Sequence, residues 1–456
     1  MLKTSYRLAP QQKELAHFHD AFNGGEKKFA IDKIGIIQFM LFKHPLYDRT
    51  FLEDVKFKYR RHDGRDFEMV YQEDRDGYDP KNEERLWELL NASLKEYTSD
   101  RSKLYGIGNS GGLDSRFIVY ITAKLKANAY LYTVGNAPSD AVHIAKIVAE
   151  RLGAESHHIP VEADYLKIYA EEFVETRPMY SFESSWWLSA REALPDFNLI
   201  LTGFNGGCMR GCHLSPALRK IEERDELYKY IYSYPGFRTA SDELLAPLLI
   251  DSSILTDSFK DFRSHVMKSK NNRPENISDE FDLLNRQFRF ILQCPGFDFL
   301  NKYAWVSPYF NEEFLNFSAQ LTYEERLDEA LFKNTAKRYM KELIDIRFDR
   351  KPLKLTDQNG YVKKIKNRLW MLDQKYKSKV YFKGSHKGFN NRCLDQKNYQ
   401  FIVDTFRAPN EIFNGLFKED YLRDNLDVLI EKHYGLILNL LPVKIWMDKY
   451  RHHLRV

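Results

Sequence analysis

The sequence has little of what would place it in the simplest functional classes. It holds only four cysteines, Cys208, Cys212, Cys294 and Cys393, too few and too scattered for a disulfide framework in a chain of this length. No apolar run is long enough to span a bilayer: Asn439, Pro442 and Lys444 interrupt the longest candidate, Tyr434 to Trp446. The opening residues, Met1-Leu2-Lys3-Thr4-Ser5-Tyr6-Arg7, lack the apolar stretch of a signal peptide. These absences predict a cytoplasmic protein with no membrane span. Neither sign of charge dominates, since 69 Lys and Arg face 65 Asp and Glu for a formal net charge of +4. That balance makes nucleic acid an unlikely partner.

What is present is material for a core. The chain has 456 residues, 43% of them hydrophobic and 14% aromatic, enough for two or three domains. Charge is uneven in one place: from Arg347 to Lys387 thirteen Lys and Arg stand against three Asp. A solvated helical surface accounts for such a run, and so does a face turned to an anionic partner.

The most informative stretch is Leu104-Tyr105-Gly106-Ile107-Gly108-Asn109-Ser110-Gly111-Gly112-Leu113-Asp114-Ser115-Arg116. Strand-like residues enter it, and Phe117 to Leu125 leave it at helical spacing, which predicts a strand, a glycine turn and a helix start. Gly111 and Gly112 can take positive φ and bring backbone close to a ligand. The free N–H groups and the dipole of the following helix favour an anion. Ser110 and Ser115 add hydroxyls, and Asp114 is a candidate ligand for Mg²⁺ against phosphate oxygens. By itself this is also an ordinary turn with Asp114 as an N-cap.

The whole string Ser-Gly-Gly-Leu-Asp-Ser resembles the pyrophosphatase loop of the N-type ATP pyrophosphatases, in the variant found in the synthetase domain of the asparagine synthetase family. The resemblance implies a doubly wound parallel α/β sheet of the PP-loop (adenine nucleotide α-hydrolase-like) type, with ATP and Mg²⁺ as cofactors. On that basis Ser110, Gly111, Gly112, Leu113, Asp114 and Ser115 are expected to hold ATP and Asp114 the metal. Arg116 is expected to meet developing negative charge.

The flanking chain fits this scheme. Residues 1–78 combine a helical pattern at Ile31 to Phe42 with the alternating strand Val55 to Tyr59, and Pro45 to Val55 looks like the end of the family's glutamine-hydrolysing domain. The family's glutaminase needs a cysteine at its mature N-terminus, yet this chain reads Met1-Leu2 and has no cysteine before Cys208. We therefore expect a small α+β remnant over 1–78. An ATP-binding domain over 79–345 and a basic helical region over 346–456, completing a helical C-terminal half, are expected to follow. A helix from Pro80 to Tyr97 leads to the loop, and strands are expected at Ala129 to Gly135, Glu155 to Ile159 and Asn198 to Thr202, with a helix from Ala141 to Leu152. Alternation of this kind predicts a parallel sheet, whose ligands lie at the carboxyl ends of strands. Thr133, Val134, Gly135 and Asp140 thus become candidates, and the family's matching segments flank adenosine. His157 and His158 point to opposite faces of a strand and are set aside as a metal pair.

A second loop, Thr202-Gly203-Phe204-Asn205-Gly206-Gly207-Cys208, resembles the family's other glycine-rich signature and makes Gly203 a further nucleotide contact. The family carries an acid there, but here Gly207 or Cys208 takes its place and no acid lies between Asp196 and Glu222. Cys208, Cys212 and His213 lack the fourth partner of a closed zinc site, and Cys208 beside Arg210 is a candidate reactive thiol. Beyond Ser215 the pattern is helical: Pro216 to Tyr232, Asp242 to Leu249, Ser252 to Lys268, Ser278 to Leu292, Asn311 to Ala319 and Tyr323 to Leu343. The basic stretch Arg350-Lys351-Pro352-Leu353-Lys354 matches a family loop whose lysine acts in amide formation, which selects Lys351 as catalytic.

The resemblance implies an ATP-dependent ligase that adenylates a carboxylate and passes it to ammonia or an amine, the nitrogen arriving from solution, from a separate glutaminase or on the second substrate. The carboxylate is expected on a small molecule, such as a surface-polysaccharide sugar acid, or on a peptide. Tyr180, Phe182, Trp186 and Trp187 are either a pocket for it or core packing. A pseudoenzyme that keeps the fold as a binding or assembly partner is the alternative. A tRNA-modifying pyrophosphatase is the third reading, without the appended domain such enzymes show.

Overall fold

The computed structural model describes residues 3–8, 13–15, 17–24, 27–60, 69–135, 139–162, 164–177, 179–206, 211, 213–291, 302–348, 353–357, 360–381 and 396–456. The loop residues Gly207 and Cys208 and the expected catalytic Lys351 lie outside them.

Strands β1 (Lys3–Leu8), β2 (Lys13–Leu15) and β4 (Val55–Arg60) form an antiparallel sheet in the order β2-β1-β4. Between them, β3 (Phe29–Ala30) pairs in parallel with β10 (Leu454–Arg455) at the far end of the chain. Helix α1 (Lys33–Phe42) is capped by Asp32, whose Oδ1 accepts from the Gly35 N–H at 2.9 Å. Arg49 ties the same Asp32 to Asp261 across the chain, with 2.7 Å to each carboxylate. Phe18 and Phe51 meet Trp446, itself fully buried, at ring distances of 6.1 and 5.2 Å. The apolar core of residues 1–60 is therefore shared with the closing helices.

The second sheet is the parallel one anticipated. β5 (Tyr105–Gly108), β6 (Ala129–Val134), β7 (Ser156–Ile159), β8 (Leu199–Leu201) and β9 (Trp305–Val306) take the order β7-β6-β5-β8-β9, every neighbour parallel. β5, the first of these in the chain, lies in the middle, so the chain winds outward to both sides. That geometry opens a switch point at the carboxyl end of β5. Helices α2 (Lys81–Tyr97), α3 (Leu113–Lys124), α4 (Asp140–Arg151) and α5 (Tyr165–Thr176) accompany the sheet. Leu86, Leu90 and Leu94 of α2, four residues apart, place one buried stripe against Phe117 and Ile121 of α3.

The C-terminal half is helical. Its longer helices are α6 (Arg224–Ser233), α7 (Ile254–Val266), α8 (Pro274–Phe281), α9 (Glu312–Ala319), α10 (Ala330–Tyr339), α11 (Gly360–Tyr381), α12 (Gln396–Arg407), α13 (Glu419–Lys432) and α14 (Tyr434–Tyr450). Several expected spans are divided. The helix anticipated over Tyr323 to Leu343 breaks where Asp328 and Glu329 take φ of 54° and 64°. The one anticipated over Ser278 to Leu292 starts earlier, at Pro274, and from Asp282 to Ile291 is wound more widely, as a π-helix. There Asp282 gathers Arg286 and Gln287 onto one carboxylate. No helix among the described residues is long and apolar enough to cross a membrane.

Candidate nucleotide site

The turn after β5 is built by its own side chains. Asn109 is buried, donates from Nδ2 to the Ala145 carbonyl at 2.9 Å and accepts the Gly111 N–H at 3.3 Å. Gly111 has φ +73°, and a Cβ there would sit 2.7 Å from Ile144 Cγ2, so only glycine lets the turn pack on α4. Gly112 is the N-cap of α3 and brings no capping side chain. The Ser110 hydroxyl accepts the Gly112 N–H at 3.3 Å and lies 3.2 Å from the Ser115 hydroxyl. Leu113 is buried and anchors the helix start.

The second loop lies directly on this turn. A Cβ at Gly203 would stand 3.1 Å from the Ser115 nitrogen, and one at Gly206 only 2.3 Å from Asp114 Oδ1. A side chain at Gly206 would displace the Asp114 carboxylate, and one at Gly203 would press on the first turn of α3. Residues after β9 brace both loops: the Tyr309 hydroxyl donates to the Asp114 carbonyl at 2.9 Å, Asn205 Nδ2 to the Tyr309 carbonyl at 2.7 Å, and the Ser307 hydroxyl to the Phe204 carbonyl at 2.7 Å. Asn109, Tyr309 and Ser307 were not singled out from the sequence. Their signal, a polar residue at each strand end, is common.

The third wall is the end of β6. The Thr133 hydroxyl donates to the Asn109 carbonyl at 2.5 Å, and Val134 is buried beside it. The Gly135 N–H donates to the Ile159 carbonyl at 3.0 Å, and the Gly135 carbonyl lies 2.6 Å from His158 Nε2. His157 instead stacks on Tyr130, 3.7 Å between ring centres. Ser139 caps α4 by accepting the Val142 N–H.

Two expected roles change. Arg116 is fully buried; Nε donates to the Gly111 carbonyl at 3.1 Å, Nη1 to the Ile346 carbonyl at 3.0 Å and Nη2 to the Arg347 carbonyl, while the guanidinium lies 4.9 Å over the Phe348 ring. It clasps the turn to the start of the basic region, and so it is a positioning residue, not a group facing substrate. Asp140 is the first residue of α4; Arg347 holds its carboxylate at 3.1 and 2.8 Å and Trp370 Nε1 donates to it at 2.8 Å. Lys351 is outside the described residues, so no distance links it to the turn.

Other candidates sort quickly. Tyr180, Phe182 and Trp186 are buried, and Phe182 packs edge-on against Phe173, which makes that cluster core. His213 lies 3.1 Å from Asp279 in the interior, and among the described residues no three His, Cys, Asp or Glu side chains come together as a metal cage. Asp114 lies at the junction of the two glycine loops, and a carboxylate is a donor type that magnesium accepts alongside phosphate and water oxygens.

Fold and site together define a parallel α/β nucleotide-loop protein, with its loop at the switch point of the sheet. The asparagine synthase family model matches residues 85–351, more than half of the chain, and the chain belongs to that family of ATP-dependent amide-forming ligases. A comparison with curated proteins finds none that matches. Solved structures that match include the U34-tRNA thiolase NcsA from Methanococcus maripaludis with its [4Fe-4S] cluster, at 11% identity over 70% of this chain and 83% of that one, with a TM-score of 0.26. The NH3-dependent NAD synthetase from Campylobacter jejuni matches at 16% identity over 42% of this chain and 98% of that one, with a TM-score of 0.22. At such scores nothing rests on either superposition. The fold assignment rests on strand order and the family match.

Proposed function

We propose that this protein is an AMP-forming carbon–nitrogen ligase, which activates a carboxylate with ATP and passes the acyl group to ammonia or an amine. The observation that carries the reading is the packing of the Gly203–Gly206 loop onto Asp114 and Ser115 at the start of α3. Backbone N–H groups at Gly112 to Ser115 and the hydroxyls of Ser110 and Ser115 would receive the pyrophosphate portion. Asp114 would hold Mg²⁺, which when bound neutralises phosphate charge. Strand-end residues Thr133 to Gly135 would wall the adenosine, and Lys351 would meet negative charge in the acyl-transfer half. Little covalent chemistry falls to the chain itself; its work is orientation and preorganised charge. The nitrogen would come as ammonia, free or from a separate glutaminase, or as an amine on the second substrate. The acid would be a sugar acid or a peptide carboxylate.

One observation favours a second reading, a pseudoenzyme that keeps the loop for binding or assembly. No acid lies between Asp196 and Glu222 to share a metal with Asp114, and Gly206 backbone occupies the adjoining space. ATP–pyrophosphate exchange with Mg²⁺ and a panel of carboxylates separates the two. Exchange that Asp114→Ala abolishes supports the ligase; ATP binding with no exchange and no pyrophosphate release from any acid favours the pseudoenzyme.

A further inference from the structure

Helix α11 has a surface that the nucleotide site does not use. Ile365, Leu369 and Leu372 are 45%, 61% and 59% exposed, and at 100° per residue they fall within about 60° of arc on one side of the helix. Met371, 65% exposed, flanks them. Beside this stripe, on the same outward side, are the exposed cations Lys364 and Arg368. The inward side is fixed to the protein: Trp370 Nε1 reaches Asp140 at 2.8 Å, and Lys366 bonds to Asp357. Other large exposed apolar residues among those described, such as Ile168, Ile250 and Val428, sit on separate elements and form no such stripe.

Over its whole length α11 carries seven cations, Lys363, Lys364, Lys366, Arg368, Lys375, Lys377 and Lys379, and one acid, Asp373. Tyr361, 73% exposed one turn before Ile365, adds an amphipathic ring to the same face, and an apolar stripe edged with cations costs solubility in water. It matches the boundary of an anionic bilayer, which takes aliphatic side chains among its acyl chains and Lys or Arg at its headgroups.

We propose that α11 is a peripheral membrane helix that seats this face of the protein on an anionic lipid surface. Since Trp370 and Arg347 share Asp140, the seated helix is one hydrogen bond away from the start of α4. The proposal does not require the ligase reading.

The test is co-sedimentation of the full chain with vesicles of phosphatidylcholine alone and of phosphatidylcholine mixed with phosphatidylglycerol. Binding to the mixed vesicles only, weakening as salt is raised, is expected. Ile365→Glu/Leu369→Glu/Leu372→Glu should weaken it at least about tenfold, and Lys364→Gln/Arg368→Gln about fivefold for each cation removed. These residues are exposed, so circular dichroism should show the variants folded; if one is not, the salt dependence and lipid preference of the wild type still decide. Failure to bind mixed vesicles, equal binding to neutral ones, or binding untouched by folded variants overturns the proposal. So does a wild-type dimer that binds no vesicle and becomes monomeric in the stripe variant, which would make the face a contact between copies of this chain.

Discussion

Arg116 separates a structural clasp from a catalytic cation, and Arg116→Met does so by keeping the length of the side chain while removing its charge and donors. In the wild type the guanidinium is fully buried and serves the carbonyls of Gly111, Ile346 and Arg347. Each carbonyl deprived of a charged donor costs about 1–3 kcal/mol, and the desolvation no longer needed for the charge offsets part of that, leaving a net loss of about 3–5 kcal/mol. Arg116→Lys, whose single ammonium cannot fork to three acceptors, should lose less than Arg116→Met but remain clearly below wild type. The assay is urea denaturation followed by far-ultraviolet circular dichroism, without nucleotide. Protein with a wild-type midpoint in Arg116→Met and a selective loss of turnover would refute the clasp and restore Arg116 to the reacting groups.

Three further outcomes follow from the same geometry. Gly206→Ala places a Cβ 2.3 Å from Asp114 Oδ1, so Mg·ATP affinity should fall at least about tenfold while the fold persists; calorimetric titration reads this. Asp140→Asn weakens the Arg347 pair and removes the charged acceptor of Trp370, so the emission of Trp370, isolated by comparison with Trp370→Phe, should shift to the red; an unchanged spectrum counts against the contact. His44 is buried, and burial first, then the nearby Arg289 guanidinium, lowers its pKa to about 3. The unfolded chain, with an ordinary histidine, then takes up the proton first, so the contribution is complete above the ordinary histidine pKa and shrinks as pH falls towards 3. Between pH 7.5 and 5 the loss is about 2 kcal/mol, and a denaturation series in which His44→Gln shows the same slope as wild type would contradict it.

How much was legible depended on how local the cause was. The turn at Ser110 to Arg116 could be read because a strand end, two glycines and a helix start are compressed into a few neighbours, each with its own backbone requirement. β6 and β8 could be read because buried parallel strands are short apolar runs. β9 could not: Trp305 and Val306 alone pair with β8, and two residues carry no period. The fates of Arg116 and Asp140 were hidden for another reason. Their partners, Ile346, Arg347 and Trp370, are more than 200 positions away, and local pattern contains nothing about which distant carbonyl or guanidinium will arrive. The wide winding from Asp282 to Ile291 likewise depends on what one buried carboxylate gathers. The exposed stripe of α11 had its period in the sequence, but exposure, which gives the stripe its meaning, belongs to the folded molecule.

The central claim is that two glycine loops meeting at Asp114 form a nucleotide site. Isothermal titration of ATP, with and without Mg²⁺, into wild type and Asp114→Ala tests it most directly. The account predicts Mg²⁺-dependent binding in the wild type and at least about a tenfold loss in the variant, Asp114 being the carboxylate placed for the ion. No ATP binding by folded wild-type protein, or affinity and Mg²⁺ dependence unchanged by Asp114→Ala, would contradict it.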